Sequence, residues 1–468
     1  MGRYKRLLSN TAILGAGTFA SKVLVFLLMP LYTSILSASE FGTADLVSQT
    51  ANLLIPLASV GICDGLFRFT LDAETEDRRK VFSAATAVLF VGSIGLLCVV
   101  QIFRLFEVFD GYVTVLALYV IFANFHSAAA NYIRAQGKTT IFAIQGIANT
   151  VLTILLNILL LVVFDMGSLG YVLSVVIADF LVTVGLVVFC KLYREVDIQS
   201  IENSVLKSML KFSIPYIPTT MMWLITSVSD RYIVAAFAGT EINGLYAAAY
   251  KIPTLLSLAS GVFIEAWQLS SVTDSSPEER SEFFEKVYKN YMSIMFMGAA
   301  VIIAGSQIFT AILLSDAYFV SWRYVPILVV ATVFSALSAF FGSVYFVEKK
   351  SVLSMLTAMT GAVINVMLNF ILIPKYEAMG AAVATLISYL AVYVIRAFNT
   401  GKYVRFKLHW IRVIVNTAVI LTQSIIMLAE VKYWEYIQIA ILLFMLVFNG
   451  EGIVRGILQI FSKKVKKI

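Results

Sequence analysis

Ionisable side chains stand inside stretches of this sequence that are otherwise apolar: Lys22, Asp179, Asp230, Arg231, Lys251 and Glu265. Holding such a group at membrane depth is costly, so each marks a candidate for ion or substrate handling. Arg231 lies eight residues before the turn Gly239 to Asn243 and Lys251 eight residues after it. At 1.5 Å of rise per residue, both are expected roughly 12 Å below one membrane face. Lys22 adds a cation in the first apolar run. Cations at depth suit an anion, which they bind through charge-assisted hydrogen bonds. The carboxylates suit another task, and Asp179, Asp230 and Glu265 are candidates for binding a coupling proton or sodium ion.

Each charge also has a structural reading. Asp230 can neutralise Lys251 across the hairpin, whereas Arg231 does not face Asp230, its neighbour along the helix. Asp179 has no partner on its own helix, and the alternative is a neutral, hydrogen-bonded acid. Lys22 is about fourteen residues from Leu36, too deep to snorkel easily. Glu265 falls about 33 Å of helix beyond the outer turn, at the inner interface where a charge is cheap. Asp64 and Arg68 read as an i, i+4 pair.

The elements that must position these groups are membrane helices. Apolar runs of the roughly 20 residues needed to span a bilayer recur at 9–36, 41–68, 80–104, 112–134, 140–164, 167–191, 209–238, 243–271, 286–314, 323–347, 351–374, 378–399, 409–429 and 433–459. That predicts an all-α polytopic membrane protein of about 14 spans. Lys and Arg collect in alternate breaks, with only Arg104, Arg323, Lys375 and Lys432 on the other side. The bias places both termini in the cytoplasm. The N-terminal charged run leads into an apolar stretch too long for a signal peptide, and Arg6 stands where myristoylation wants Ser or Thr.

An internal repeat organises the spans. Glu76-Asp77-Arg78 and Phe82 match Glu278-Glu279-Arg280 and Phe284 at an offset of 202, and Lys138, Val151, Leu156 and Asn157 match Lys350, Val363, Leu368 and Asn369 at 212. Gly170 and Ile177 match Gly380 and Ile387 at 210. The expected domains are therefore an N-lobe at 1–200, a C-lobe at 201–402, and two further helices with a basic tail at 403–468. Parallel repeats of this kind place substrate between the halves. The charges do not follow the repeat: Gln49 stands opposite Lys251, and Met29 opposite Arg231.

Polar residues follow helical spacing in several spans. Asp45, Gln49, Asn52, Pro56, Ser59 and Cys63 line one face of the second, and Thr219, Trp223, Thr226 and Asp230 one face of the seventh. Tyr246, Tyr250, Thr254, Ser257, Gly261 and Glu265 do so in the eighth. Such stripes either glue helices together or line a hydrated cleft, where Gln49, Asn52, Trp223, Tyr246 and Tyr250 would meet a polar substrate. In spans 5 and 11, Gln145, Asn149, Asn157, Asn365 and Asn369 read as packing.

Composition excludes much else. At 60% hydrophobic and 13% charged residues this is no soluble protein. The formal net charge of +7 belongs to inner loops rather than to a nucleic-acid surface. Cys63, Cys98 and Cys190 have no paired spacing, and His126 and His409 are the only histidines, which predicts no metal site, no disulfide framework and no cofactor. Short external loops leave no room for a catalytic constellation, so no enzyme is expected.

Ser229-Asp230-Arg231-Tyr232, Gly244-Leu245-Tyr246 and Tyr250-Lys251, with Asn365 to Asn369, Ile373-Pro374-Lys375 and Gly380-Ala381-Ala382, resemble the Wzx-type polysaccharide flippases of the MATE-like exporter superfamily. The likeness covers essentially the whole chain. It implies two six-helix lobes in a V shape and alternating access. The implied cargo is an undecaprenyl-diphosphate-linked oligosaccharide, carried from the inner to the outer leaflet of a bacterial cytoplasmic membrane for surface polysaccharide biosynthesis. Related lipid II flippases carry an arginine where this chain has Lys22, and another cation at Lys251, which implies diphosphate binding there. Lysines in place of arginines, and missing cations in the first two spans, argue against lipid II itself. The resemblance further implies that the last two helices shelter a lipid tail. Candidate partners are the bilayer, the lipid-linked oligosaccharide, a polysaccharide polymerase and glycosyltransferases, with a monomeric transport unit. A multidrug or ion-coupled exporter of the same fold and a non-transporting scaffold for glycosyltransferases are the alternatives.

Overall fold

A computed structural model describes residues 26–72, 75–214, 217–271, 277–348 and 350–465. Lys22 lies outside the described residues, and so do the side chains of Trp223 and Glu265. The described chain is helical throughout, without strands, as backbone in hydrocarbon must be unless a barrel closes. It divides into two compact units, Met1–Val228 and Ser229–Ile468.

The first unit contains α1 (Met29–Ile35), α2 (Ala38–Ala58), α3 (Ile62–Asp72), α4 (Thr75–Val99), α5 (Val113–Ala135), α6 (Thr139–Asn157), α7 (Gly167–Phe189) and α8 (Asn203–Ser213). Ser37 and Glu40 start α2 with a reciprocal capping box, Ser37 Oγ accepting from the Glu40 backbone N–H and Glu40 Oε2 from the Ser37 backbone N–H. The expected second span is broken: α2 and α3 meet at 54°. Pro56 removes one ladder donor, and Val60 and Gly61 take positive φ of 53° and 64°. The core of this unit gathers Ile62, Leu66, Phe82, Tyr132, Leu192 and Met209. Met209 belongs to α8, an amphipathic segment whose last five residues fall within the expected seventh span. The next helix starts afresh at Ile217, with Pro218 in its first turn, where a missing N–H costs nothing.

The second unit takes up the chain within α9 (Ile217–Ser271) and continues through α10 (Pro277–Ala304), α11 (Ser306–Leu313), α12 (Val325–Val347), α13 (Ser351–Thr400), α14 (Trp410–Leu428) and α15 (Trp434–Val465). Its core is aromatic: the Phe340 ring lies 5.2 Å from Trp267 and 5.3 Å from Tyr288. Amides tie the last two helices to it. Asn416 and Asn449 donate to each other at 3.2 and 2.8 Å, and Gln423 Nε2 donates to the Ala300 carbonyl at 3.0 Å.

Among the described residues nine helices are long and apolar enough to cross a membrane, or up to ten when α2 and α3 count as one bent span. α9 and α13 are each two spans folded about one residue, Gly239 (φ 88°) and Glu377 (φ 48°). With those pairs separated and the first and last helices added, the count is consistent with about 14. The repeat is visible in the helix bounds, since α5 and α12 are both 23 residues long and both they and the starts of α6 and α13 are offset by 212.

Candidate functional site

α9 is the hairpin that carries Asp230, Arg231, Tyr246, Tyr250 and Lys251. Only a glycine adopts the backbone of Gly239, φ 88° and ψ 168°, without strain. Helix resumes at once after it, so the expected symmetric placement of the two cations is corrected. Arg231 lies eight residues before Gly239 and Lys251 twelve after it. Lys251 is therefore about 6 Å further from the turn, roughly one helical turn. The residues level with the Asp230–Arg231 pair are the tyrosines.

Tyr246 donates its hydroxyl to Asp230 Oδ2 at 2.7 Å, and Asp230 Oδ1 accepts the Arg231 backbone N–H at 2.9 Å. The Arg231 guanidinium sits 5.1 Å from the centre of the Tyr250 ring, a cation–π contact. Asp230 is fully buried and Arg231 is 6% exposed. Tyr246 is fully buried as well, so it holds the carboxylate in place rather than presenting its hydroxyl outward. Tyr250 and Lys251 are half-buried.

Beside this pair runs a chain of neutral hydrogen bonds. Ser229 Oγ donates to Asn365 Oδ1 at 3.1 Å, Asn369 Nδ2 donates to the same oxygen at 2.9 Å, and Asn365 Nδ2 reaches Thr385 Oγ1 at 3.3 Å. The asparagines that read as packing thus tie both arms of α13 to the charged hairpin. The lower half of the Tyr246 stripe does something else. Ser257, Ser260 and Gly261 face Thr332 and Ser335 across a cavity of about 370 Å³.

The first unit holds a second polar cluster. His126 Nδ1 is 2.8 Å from Asp179 Oδ1, His126 Nε2 is 2.6 Å from Gln145 Oε1, and Asn149 Nδ2 donates to Asp179 Oδ1 at 3.0 Å. Asp179 is 6% exposed and Gln145 9%. The partner that Asp179 lacks on its own helix comes from α5 and α6. Nearer the start of α2, Gln49 Nε2 contacts Asp45 Oδ1 at 3.4 Å, with Gln49 half-buried and Asn52 exposed. Among the described residues no cluster of His, Cys, Asp and Glu could hold a metal ion.

Sequence pattern does not single out His126 or Arg396. His126 drew notice only as a missing metal ligand, although it stands in mid-span at the depth of Asp179. Arg396, which the alternation of basic breaks puts at the inner side, is 1% exposed, buried in α13. Its Nε donates to Thr357 Oγ1 at 3.0 Å, Nη1 to the Ser338 carbonyl at 3.0 Å and Nη2 to the Ser354 carbonyl at 3.3 Å. A long side chain near a helix end can turn inward as well as out, and sequence alone does not say which.

The sequence matches the family model described as polysaccharide biosynthesis protein over residues 7–267, just over half of the chain. The solved structure of the lipid II flippase MurJ in an inward closed conformation superposes with a TM-score of 0.71 at 15% identity, over 96% of this chain and 100% of that chain. A multidrug resistance MATE family transporter of the MOP superfamily, in an inward-facing conformation, gives a TM-score of 0.65 at 14% identity over 82% of this chain and 94% of its own. At these identities the likeness is one of fold. A search among curated proteins finds no match.

Proposed function

The chain belongs to the polysaccharide biosynthesis protein family, and from that premise we propose that it is a flippase for an undecaprenyl-diphosphate-linked oligosaccharide. It would carry the headgroup from the inner to the outer leaflet of a bacterial cytoplasmic membrane by alternating access, with both termini in the cytoplasm. The observation that carries this reading is the α9 hairpin. It keeps Arg231 at membrane depth, fixed on Tyr250, with Lys251 about one turn away. Glu241 lies at the turn and Glu265 near the opposite end of the hairpin, so at the depth between them Arg231 and Lys251 stand with Asp230 as the one carboxylate of that stretch. A diphosphate in a low-dielectric setting needs cations, and Arg and Lys meet it with charge-assisted hydrogen bonds. Lys22 is the further candidate cation. Gln49 in the first unit and Tyr250 in the second, each half-buried, would each offer hydrogen bonds to sugar. The membrane potential, worth about 2.3 kcal/mol per charge per 100 mV, is a sufficient drive for a charged carrier.

Replacing Arg231 and Lys251 together by Gln is expected to lower surface polysaccharide at least tenfold and to make a lipid-linked oligosaccharide accumulate on the inner leaflet, at unchanged protein level. A tenfold loss corresponds to about 1.4 kcal/mol, less than one charge-assisted hydrogen bond can supply. Export that persists in the double variant would sink the diphosphate assignment. The fold likeness to multidrug transporters favours a second reading, a drug exporter. Transport of cationic dyes, indifferent to these substitutions, would select it.

A further inference from the structure

The His126 cluster is not used by the substrate site just described, and its geometry asks for a proton. Both ring nitrogens face acceptors, Asp179 Oδ1 at 2.8 Å and Gln145 Oε1 at 2.6 Å. A neutral imidazole has one N–H and can serve only one of them, whereas the doubly protonated ring donates to both. Asp179, which also accepts from Asn149, supplies the counter-charge. Depth agrees with this pairing: His126 stands nine residues before the end of α5, Asn149 ten after the start of α6, and Asp179 ten before the end of α7. All three are roughly 14 to 15 Å from the same ends of their helices.

We propose that His126, Asp179, Gln145 and Asn149 form a proton-binding site in the first unit, with His126 Nε2 as the atom that takes up and releases the proton. On release, the Nε2–H bond breaks and the proton passes to water. The electron pair stays on the ring, and Nδ1–H continues to donate to Asp179. The Gln145 amide then turns over, so that its Nε2 donates to the freed ring nitrogen. Both ring nitrogens and Asp179 Oδ1 keep a partner in both states, since an amide offers an acceptor on one side and donors on the other. The net charge of the cluster changes from zero to minus one. A buried group that alternates between these charges is an element on which a proton gradient can act; its use to drive transport rests on the flippase reading above, but the proton site does not.

The surrounding helices add few titratable groups to this spot. Tyr119 on α5 interacts with both Asp179 and Tyr171 of α7, and Asp45 on α2 acts on Tyr171. Cys63 on α3 is engaged with the Asn124 carbonyl. On α4, Arg79 and Lys80 are drawn to Glu195 and Glu202 at the charge-rich end, beside Asp77 and Arg78. Asp64 and Arg68 on α3 and Lys138 before α6 stand toward that same end, and Arg104 lies beyond the far end of α4.

The chain has two histidines, which makes the test direct. In the full-length protein with His409→Gln, carried in lipid nanodiscs and labelled with ¹⁵N-histidine, every imidazole signal comes from His126. Titration from about pH 5 to about pH 9 brackets the ordinary histidine range. The expected result is two protonated ring nitrogens at the acid end and Nδ1–H alone at the alkaline end. Asp179→Asn is expected to lower the midpoint by at least a unit, and Gln145→Met, which keeps the carboxylate, by less. A ring that stays neutral in one tautomer throughout overturns the proposal. So does a ring that stays doubly protonated throughout, or a midpoint that neither substitution moves. In cells, His126→Gln is expected to flatten the pH dependence of polysaccharide export, while Arg231→Gln lowers export at every pH. A wild-type chain that titrates as described but exports no polysaccharide would overturn the flippase reading and leave the proton site standing.

Discussion

α5 and α12 occupy the same place in the two copies of the repeat, and so do α6 and the first arm of α13, at an offset of 212. His126 therefore corresponds to Ser338, and Gln145 to Thr357. In the first copy these positions hold an imidazole between an amide and a carboxylate. In the second, the Ser338 carbonyl and the Thr357 hydroxyl hold the guanidinium of Arg396. At the 210 offset, Asp179 answers to Tyr389 and Arg396 to Leu186. One architectural position thus carries a group whose charge can change with pH and, in the other copy, one whose charge cannot, because an arginine stays protonated in proteins. The repeat duplicates the need for a polar tie at this crossing and leaves the chemistry of the tie free to differ.

The difference predicts opposite consequences for removing each tie. Arg396→Met keeps the volume but strips donors from the Ser338 and Ser354 carbonyls and the Thr357 hydroxyl, all in a buried setting. The Thr357 hydroxyl still donates to the Ser354 carbonyl at 3.0 Å, so the expected cost is that of the lost charge-assisted bonds, about 3 kcal/mol, seen as a lowered midpoint of thermal unfolding in detergent. His126→Gln puts an amide where the ring was, able to bond both Asp179 and Gln145, and is expected to cost about 1 kcal/mol. A larger loss of stability from His126→Gln than from Arg396→Met would break the comparison and make the first tie the structural one.

A second contrast lies in the hairpins. At the offset of 202, Asp230 answers to Leu28, Arg231 to Met29 and Tyr246 to Ala44. Where the second unit buries a hydrogen-bonded carboxylate, the first has half-buried Leu28, and Met29 and Ala44 beside it are buried at 2% and 0% exposure. Tyr246→Phe removes the donor to Asp230 Oδ2 while keeping the ring, and is expected to destabilise by about 2 kcal/mol. Combining it with Asp230→Leu should cost less than the sum of the two single changes, by about 1 kcal/mol or more, because each alone strands the other's polar group. Additive costs would separate Tyr246 from Asp230 and return the tyrosine to the cleft-lining role expected from its stripe.

The fold was legible because it rests on period and length. Runs of apolar residues and the alternation of Lys and Arg specify spans whatever their neighbours do, and the repeat set their grouping. The breaks were less legible: the bend between α2 and α3 and the immediate restart after Gly239 depend on single backbone angles. The site was half legible. Arg231 and Asp230 announced themselves by cost, yet which tyrosine each would meet turned on a shift of about one turn at Gly239. His126 and Asp179 lie 53 residues apart, on helices whose contact no local pattern encodes. Matching their depths would have paired them. Arg396 shows the reverse error, a charge near a helix end taken for solvated when its side chain runs inward.

The smallest expected effect concerns the turns that precede the sixth and twelfth spans. Gly167 and Glu377 correspond at the 210 offset, and both have positive φ, 53° and 48°. The first copy places the residue that tolerates this backbone there, and the second does not. A side chain at Gly167 would also meet the Glu40 carboxylate, with Cβ 2.6 Å from Oε1, the same oxygen-bearing group that caps α2. Gly167→Ala should therefore destabilise by about 1 kcal/mol, combining backbone strain with the displaced cap. Glu377→Gly should stabilise by about half that, since relief of strain is offset by the greater freedom of glycine in the unfolded chain. Thermal unfolding of the two variants measures both signs at once. If Glu377→Gly proves destabilising, the Glu377 side chain makes contacts worth more than the strain, and the twelfth-span turn is held by its glutamate rather than in spite of it.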